Sequence, residues 1–164
     1  MFIRVKKNHL SFRDNQFKCA IGRCGFSKNK REGDGCTPVG TFYIDKIYYR
    51  ADKLEIVNAN IDAIKIHESF GWCDDPDQKE YNQLIEFPYD FSAEKLYRKD
   101  SLYNLICVLN YNINPIVPGL GSAIFMHVAK DDYQPTEGCV ALKQKDLMYL
   151  IKFINKQTKV ILGD

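Results

Sequence analysis

The chain alternates short apolar stretches with turn-rich polar ones, and the apolar stretches carry the β-branched and aromatic residues that favour extended backbone. FIRV at 2–5, KCAIG at 18–22, TFYIDKIYYR at 41–50, AIKIHE at 63–68, LYNLICVLNY at 102–111, SAIFMHV at 122–128 and KVILG at 159–163 read as strands. They predict a mainly β fold. Between them, residues 22–40 (GRCGFSKNKREGDGCTPVG) and 112–122 (NINPIVPGLGS) are dense in Gly, Pro and Asn, and such loops are where a β scaffold carries chemistry. One segment departs from period two. In KQKDLMYLIKFINK at 143–156, Leu147, Leu150, Ile151 and Ile154 recur at helical spacing, which predicts a C-terminal amphipathic helix packed on the sheet. A second helical piece is expected in either PDQKEYNQLI (76–85) or SAEKLYRK (92–99), where Pro76 and Ser92 stand at suitable starts.

At 164 residues the chain has the size of one ordinary domain, 1–164, with no repeat or low-complexity segment. A net charge of +2 and a pI near 8.1 provide no basic stripe, so nucleic acid is not an expected partner. The run KNKREGD at 28–34 reads as a solvated loop. The first residues interleave Arg4, Lys6, Lys7, Arg13 and Lys18 with apolar ones, so no signal peptide is legible. The longest apolar run, Leu105 to Leu109, is too short to span a bilayer. Six cysteines form no C-x-x-C pair and the histidines stand apart at 9, 67 and 127, so no metal site is expected and the thiols are read as mostly reduced.

Among these thiols, Cys139 has distinctive neighbours. A nucleophilic thiol must ionise near neutral pH although its ordinary pKa is about 8.5, so it needs a base or cation beside it. His127 ends an apolar strand, and a polar loop then returns the chain to Gly138 and Cys139. Gly138 would let substrate approach backbone N–H groups that stabilise an oxyanion, and Thr136 could bond the turn or orient the thiol. On spacing alone, a small buried cysteine and a structural histidine are the commoner readings. A catalytic Cys139 is expected to alkylate faster than the other thiols at neutral pH.

The string HVAKDDYQPTEGCVAL at 127–142 resembles the signature of the YkuD-type L,D-transpeptidase family: a histidine, a variable loop, Ser or Thr, one residue, Gly and a nucleophilic Cys. KREGDGCTPVGTF at 30–42, GWCDDP at 71–76, the Tyr81-Asn82 pair, SAEKLYRKD at 92–100 and GSAIFMH at 121–127 resemble one branch of it, so the likeness runs from about residue 19 to the end. The resemblance implies Cys139 as nucleophile, His127 as general base and then acid, and Gly138 and Cys139 as backbone oxyanion donors, with Thr136 at the Ser/Thr position. Many members carry a second histidine before the Gly and an Arg or Asn two residues after the Cys. This chain has Glu137 and Ala141 there.

Loss of that Arg removes a bidentate clamp for a carboxylate. Arg98, Arg31, Lys30 and Arg23 are the substitute candidates, while Trp72 with Asp74 and Asp75 is the candidate acceptor side, an aspartate being able to bind or deprotonate an amine. For each of these the alternative is a solubilising charge, a core Trp or a loop turn. The fold implied is a mainly β L,D-transpeptidase-like sandwich or mixed sheet with the C-terminal helix on it. The activity implied is cross-linking of peptidoglycan stem peptides, as donor and acceptor, through a Cys thioester, with no metal or organic cofactor and with the cell envelope or periplasm as the setting. The alternatives are hydrolysis of the same stems by a carboxypeptidase or endopeptidase, a non-catalytic peptidoglycan-binding module, and a cytosolic thiol hydrolase.

Overall fold

The LICVL run at 105–109 contains no polar position, so as a strand it needs cover on both faces. The computed structural model, which describes residues 1–55 and 60–163, supplies that cover. Its strands are β1 (Phe2–Lys6), β2 (His9–Phe12), β3 (Asn15–Ala20), β4 (Phe26–Ser27), β5 (Thr37–Pro38), β6 (Gly40–Tyr49) and β7 (Ala63–Lys65). They continue as β8 (Phe70–Cys73), β9 (Leu84–Glu86), β10 (Ala93–Lys95), β11 (Leu105–Leu109), β12 (Phe125–Val128), β13 (Val140–Leu142) and β14 (Lys159–Leu162). The one α-helix among the described residues, α1 (Gln144–Ile151), follows β13 directly.

The main sheet is mixed and closes into a barrel. Its order is β11-β12-β13-β3-β2-β1-β14-β6, β6 pairs back to β11, and β7 is added outside the ring on β6. The pairs β1–β14 and β12–β13 are parallel, whereas the other pairs within the ring are antiparallel. A separate small sheet, β10-β8-β9, lies over the outer wall made by β6, β11 and β12.

Strand alternation divides the core in two. Leu105, Cys107 and Leu109 of β11 join one cluster with Ile3, Val5, Phe12, Ile44, Ile47, Met126 and Val140. Ile106 and Val108, pointing the other way, join Tyr48, Trp72, Leu96, Tyr103 and Phe125 beneath the small sheet. That double burial explains the apolar run. The helix brings Leu147, Leu150 and Ile151 to the first cluster, and Ile154, just past the helix end, is buried with them. The predicted apolar face is therefore real, although its last member is carried by the turn after the helix.

The helix expected at 76–85 or 92–99 forms in neither segment. The first segment is a series of turns, with Gln78 N–H donating to Asp75 O, Tyr81 N–H to Gln78 O and Gln83 N–H to Glu80 O. Asn82 has φ of +56°, which ends any right-handed run. In the second segment, Ala93–Lys95 pairs with β8 as a strand. Tertiary pairing overrode helical propensity in both.

Candidate active site

Parity along two parallel strands builds the site. In the β12–β13 ladder, Met126 lies opposite Val140 and His127 opposite Ala141. Met126, Val128, Val140 and Leu142 all enter the barrel core, so Phe125, His127 and Ala141 face outward, and Cys139 belongs to the same outward side. Sequence elements separated by a polar loop thus present His127 and Cys139 to one cavity of about 570 Å³, shared with Thr136, Gly138, Glu94 and Asp74.

Thr136 organises the turn before Cys139 rather than the thiol. Its hydroxyl donates to Cys139 O at 2.6 Å and accepts from Gly138 N–H at 3.1 Å. The turn is also sewn to the strand region preceding it, because Thr136 N–H donates to Ile21 O and Arg23 N–H to Thr136 O. Gly138 has φ of +142°, and a Cβ there would stand 2.8 Å from the carbonyl oxygen of Cys36. No larger residue fits without moving that backbone. The Gly138 amide, expected as an oxyanion donor, is engaged by Thr136.

The thiol rests against backbone. Cys139 donates to Ala123 O at 3.1 Å, and Phe125 N–H donates to the sulfur at 3.4 Å. Burial pushes the Cys139 thiol up to about 12, with Phe125 N–H opposing and the nearby Glu94 carboxyl adding to the rise. Burial likewise pushes His127 down to about 4, partly opposed by its bond to Val128 O at 2.8 Å. A carbonyl only accepts, so Nδ1 carries the proton and Nε2 is the basic nitrogen. The sequence predicted a ready thiolate; burial instead favours the neutral form of both groups.

A buried amide positions the carbonyl that receives this thiol. Asn82 Oδ1 accepts from Ala123 N–H at 2.9 Å and from Trp72 Nε1–H at 3.0 Å, while its amide group donates to Tyr111 O and Asn112 O. All its bonding capacity is used. Ala123 is thereby held at φ of +52°, a conformation unfavourable for alanine. Sequence reasoning quoted the Tyr81-Asn82 pair without giving it a role, since a turn asparagine and a buried one look alike in a sequence.

The remaining candidates separate. Arg98 borders the cavity but forks onto Asp100, with Nε to Oδ1 at 2.9 Å and Nη2 to Oδ2 at 2.7 Å. Lys30 also borders it, buried, with Nζ donating to Asp34 Oδ1 and Arg31 O, each at 2.6 Å. Arg31 itself is exposed and away from the cavity lining, and Arg23 is bound to Glu137. Trp72 is a core residue: it is 6% exposed and meets Phe125 edge-on at 5.2 Å. Asp75 caps its own turn by accepting from Asp77 N–H, but Asp74 lines the cavity, and its buried Oδ1 has no hydrogen-bond partner among the described residues.

Glu94 and Tyr103 also line the cavity, without a role assigned from the sequence. Glu94 accepts from Tyr103 hydroxyl at 2.6 Å, and burial raises its carboxyl above the ordinary range against the effect of that bond. Tyr103 packs its ring edge-on to His127 at 5.3 Å. Among the described residues, no group of three or more His, Cys, Asp or Glu side chains is arranged to hold a metal.

Three outcomes are expected. His127 binds its proton near 6.5 when unfolded and near 4 when folded, so the unfolded chain takes up more protons between those values and stability falls as pH drops through that window. The loss is on the order of 3 kcal/mol, and urea unfolding from pH 7 downward should show a shallower slope for His127→Phe; equal slopes would contradict the assignment. Iodoacetamide at pH 7 should label exposed Cys24 before Cys139, whose labelling should rise as pH approaches the thiol's raised pKa. Labelling of Cys139 first would mean that the thiol leaves Ala123 in solution. Gly138→Ala should lower unfolding free energy by about 1–3 kcal/mol, and an unchanged value would show that the Cys36 backbone yields freely.

Comparison with known families places the site in context. The family model described as YkuD, the L,D-transpeptidase catalytic domain, matches residues 2–162, reaching the N-terminal hairpin as well as the motif blocks. No protein of curated function and no solved structure matched the chain. With the match covering almost the whole barrel, including His127, Thr136, Gly138 and Cys139, the chain belongs to the YkuD family of L,D-transpeptidase catalytic domains.

Proposed function

We propose that the protein is a cysteine-dependent L,D-transpeptidase that joins peptidoglycan stem peptides through a thioester on Cys139. The observation that carries this reading is the shared outward face of His127 and Cys139 on one cavity within a fold of this family. His127 Nε2 takes the Cys139 proton as sulfur attacks a peptide carbonyl at an L-configured centre of the donor stem. The carbonyl oxygen becomes an oxyanion, with the Cys139 amide beside it as donor. Collapse breaks the C–N bond, the departing amine receives the proton held on His127, and the acyl group remains on sulfur. An acceptor amine then attacks the thioester, losing a proton to His127, and the thiolate leaves and is reprotonated.

Neutral resting groups suit this sequence of events. Neither thiolate nor imidazolium has to be maintained in a dry pocket, and the proton moves only when a carbonyl is present to share the developing charge. The cavity carries charges of both signs, with Arg98 close enough to Glu94 to act on its carboxyl. Asp74 and Glu94 suit an acceptor ammonium, and the unpartnered Asp74 Oδ1 is an acceptor awaiting a donor. Lys30 and Arg98, each already paired with an aspartate, are the cations at hand for stem carboxylates.

Peptidoglycan lies outside the inner membrane, so this reading puts the protein at the cell envelope. No helix among the described residues is long and apolar enough to cross a membrane. The test is mass spectrometry of purified tripeptide and tetrapeptide muropeptides incubated with wild-type protein and with Cys139→Ala. Cross-linked dimers with the wild type, reduced at least about 1000-fold in the variant, are expected, and the residue released identifies the bond attacked. Shortened monomers alone would make water the acceptor and the protein a hydrolase. No Cys139-dependent change on any stem would overturn both readings and leave a binding module.

A further inference from the structure

Two thiols that the acyl-transfer scheme does not use lie together directly beneath the nucleophile turn. β4 and β5 pair in parallel with Phe26 opposite Thr37, and the seam continues upstream: Cys24 N–H donates to Gly35 O at 3.0 Å and Thr37 N–H to Gly25 O at 2.8 Å. Upstream of β4 and β5 the ladder is broken by Gly25 and Gly35, both at positive φ, and Gly25 N–H turns back to Gly22 O, so that Cys24 rather than Gly25 is bonded to Gly35, the neighbour of Cys36. A disulfide needs Cα atoms roughly 4.4–6.8 Å apart, and the bond from Cys24 N–H to Gly35 O, next to Cys36, brings the two residues to that scale. The seam is as close as backbones allow, because a Cβ on Gly22 would stand 2.4 Å from Gly35 O.

The side chains approach as well as the backbones. Cys36 Sγ donates to Cys24 O at 3.8 Å and to Asp34 O at 3.7 Å, and both sulfurs lie within electrostatic reach of Arg23. Arg23 Nη1 donates to Cys24 Sγ at 3.3 Å while its Nε is held by Glu137, so this sulfur is oriented by the same side chain that grips the catalytic turn. Cys24 is exposed, which gives an oxidant access to one partner. The Cys36 carbonyl is the atom against which Gly138 rests.

We infer that Cys24 and Cys36 form a reversible disulfide by exchange with a small-molecule or protein disulfide, closing a loop under the Cys139 turn. Cys24 thiolate attacks one sulfur of the oxidant and expels the first thiolate. Cys36 thiolate then attacks the Cys24 sulfur of that mixed disulfide and expels the second. Two protons leave the protein and two electrons reduce the oxidant to two thiols. The cross-link restricts residues 24–36 in the unfolded chain and thereby favours the folded loop. In the folded chain it fixes the seam that carries both Arg23 and the Cys36 carbonyl.

The test uses the full chain, incubated with glutathione disulfide or with dithiothreitol, and it needs no activity, so it stands apart from the proposed function. The oxidised protein should be lighter by about 2 Da, the loss of two hydrogens in the exchange. Trypsin should then release peptides 24–28 and 32–46 joined together, with Cys139 still alkylatable after denaturation. The oxidised form should melt roughly 5 °C or more above the reduced form. That difference should vanish in Cys24→Ser and Cys36→Ser. Glutathione retained on Cys24 without closure, a bridge to any other cysteine, or no loss of mass would overturn the inference, and peptide mapping of the wild type decides it even where a serine variant fails to fold.

Discussion

The parallel pairing of β12 with β13 is the constraint on which the site depends. Parallel neighbours cannot be joined by a tight turn, and a crossover usually needs a dozen or more residues, often a helix. Here residues 129–139 make the return with only a short 3-10 turn at Asp131–Tyr133, in which Asp132 and Tyr133 take positive φ. A connection this short has little slack, so its last part must be fixed from outside. Ile21 and Arg23 do that through Thr136, and Cys36 provides the surface beneath Gly138. Register then decides the chemistry: a slip of one residue in β13 would send Cys139 into the barrel core and Val140 into the cavity.

The same register explains why the reactive groups rest uncharged. Facing outward from the barrel places His127 and Cys139 under the small β10-β8-β9 sheet, against Phe125, Tyr103 and Glu94, and not in open water. Desolvation moves the two groups in opposite directions, and both movements favour the neutral form. Asn82 strengthens this state indirectly. By holding Ala123 in a left-handed conformation it offers the thiol a carbonyl acceptor, and an acceptor for S–H stabilises the protonated sulfur.

Much of this was readable from residues whose physical role is local. The spacing of Leu147, Leu150 and Ile151 identified α1, and the unbroken apolar run at 105–109 marked a doubly covered strand once the strand itself was recognised. His127 and Cys139 were legible because the strand, polar loop and Thr-x-Gly-Cys turn are contiguous in the chain. Trp72, Asn82 and Glu94 were not, since their roles arise from contacts across the fold: β8 and β10 have to pair before Trp72 becomes core and Glu94 becomes part of a cavity wall. The Pro76 and Ser92 segments failed for the same reason. Their local signals were those of helix starts, and long-range pairing and burial of Tyr81 decided otherwise.

Glu137 and Ala141, where many relatives carry His and Arg or Asn, fit this arrangement in different ways. Ala141 is buried on the outward face directly opposite His127, so a longer side chain there would compete with the imidazole for space in a packed wall. Glu137 is exposed at the cavity's border and paired with Arg23, tying the turn before Cys139 to the Cys24 loop. An exposed ion pair of this kind contributes little to stability by itself. Its use is geometric: it joins the only charged residue of the turn to the seam below, and Asp74, Glu94, Lys30 and Arg98 stand on the cavity's other walls. The charged side chains of the cavity thus stand mostly on elements that the barrel register does not constrain, and His127 and Cys139 on or beside the strands that it does.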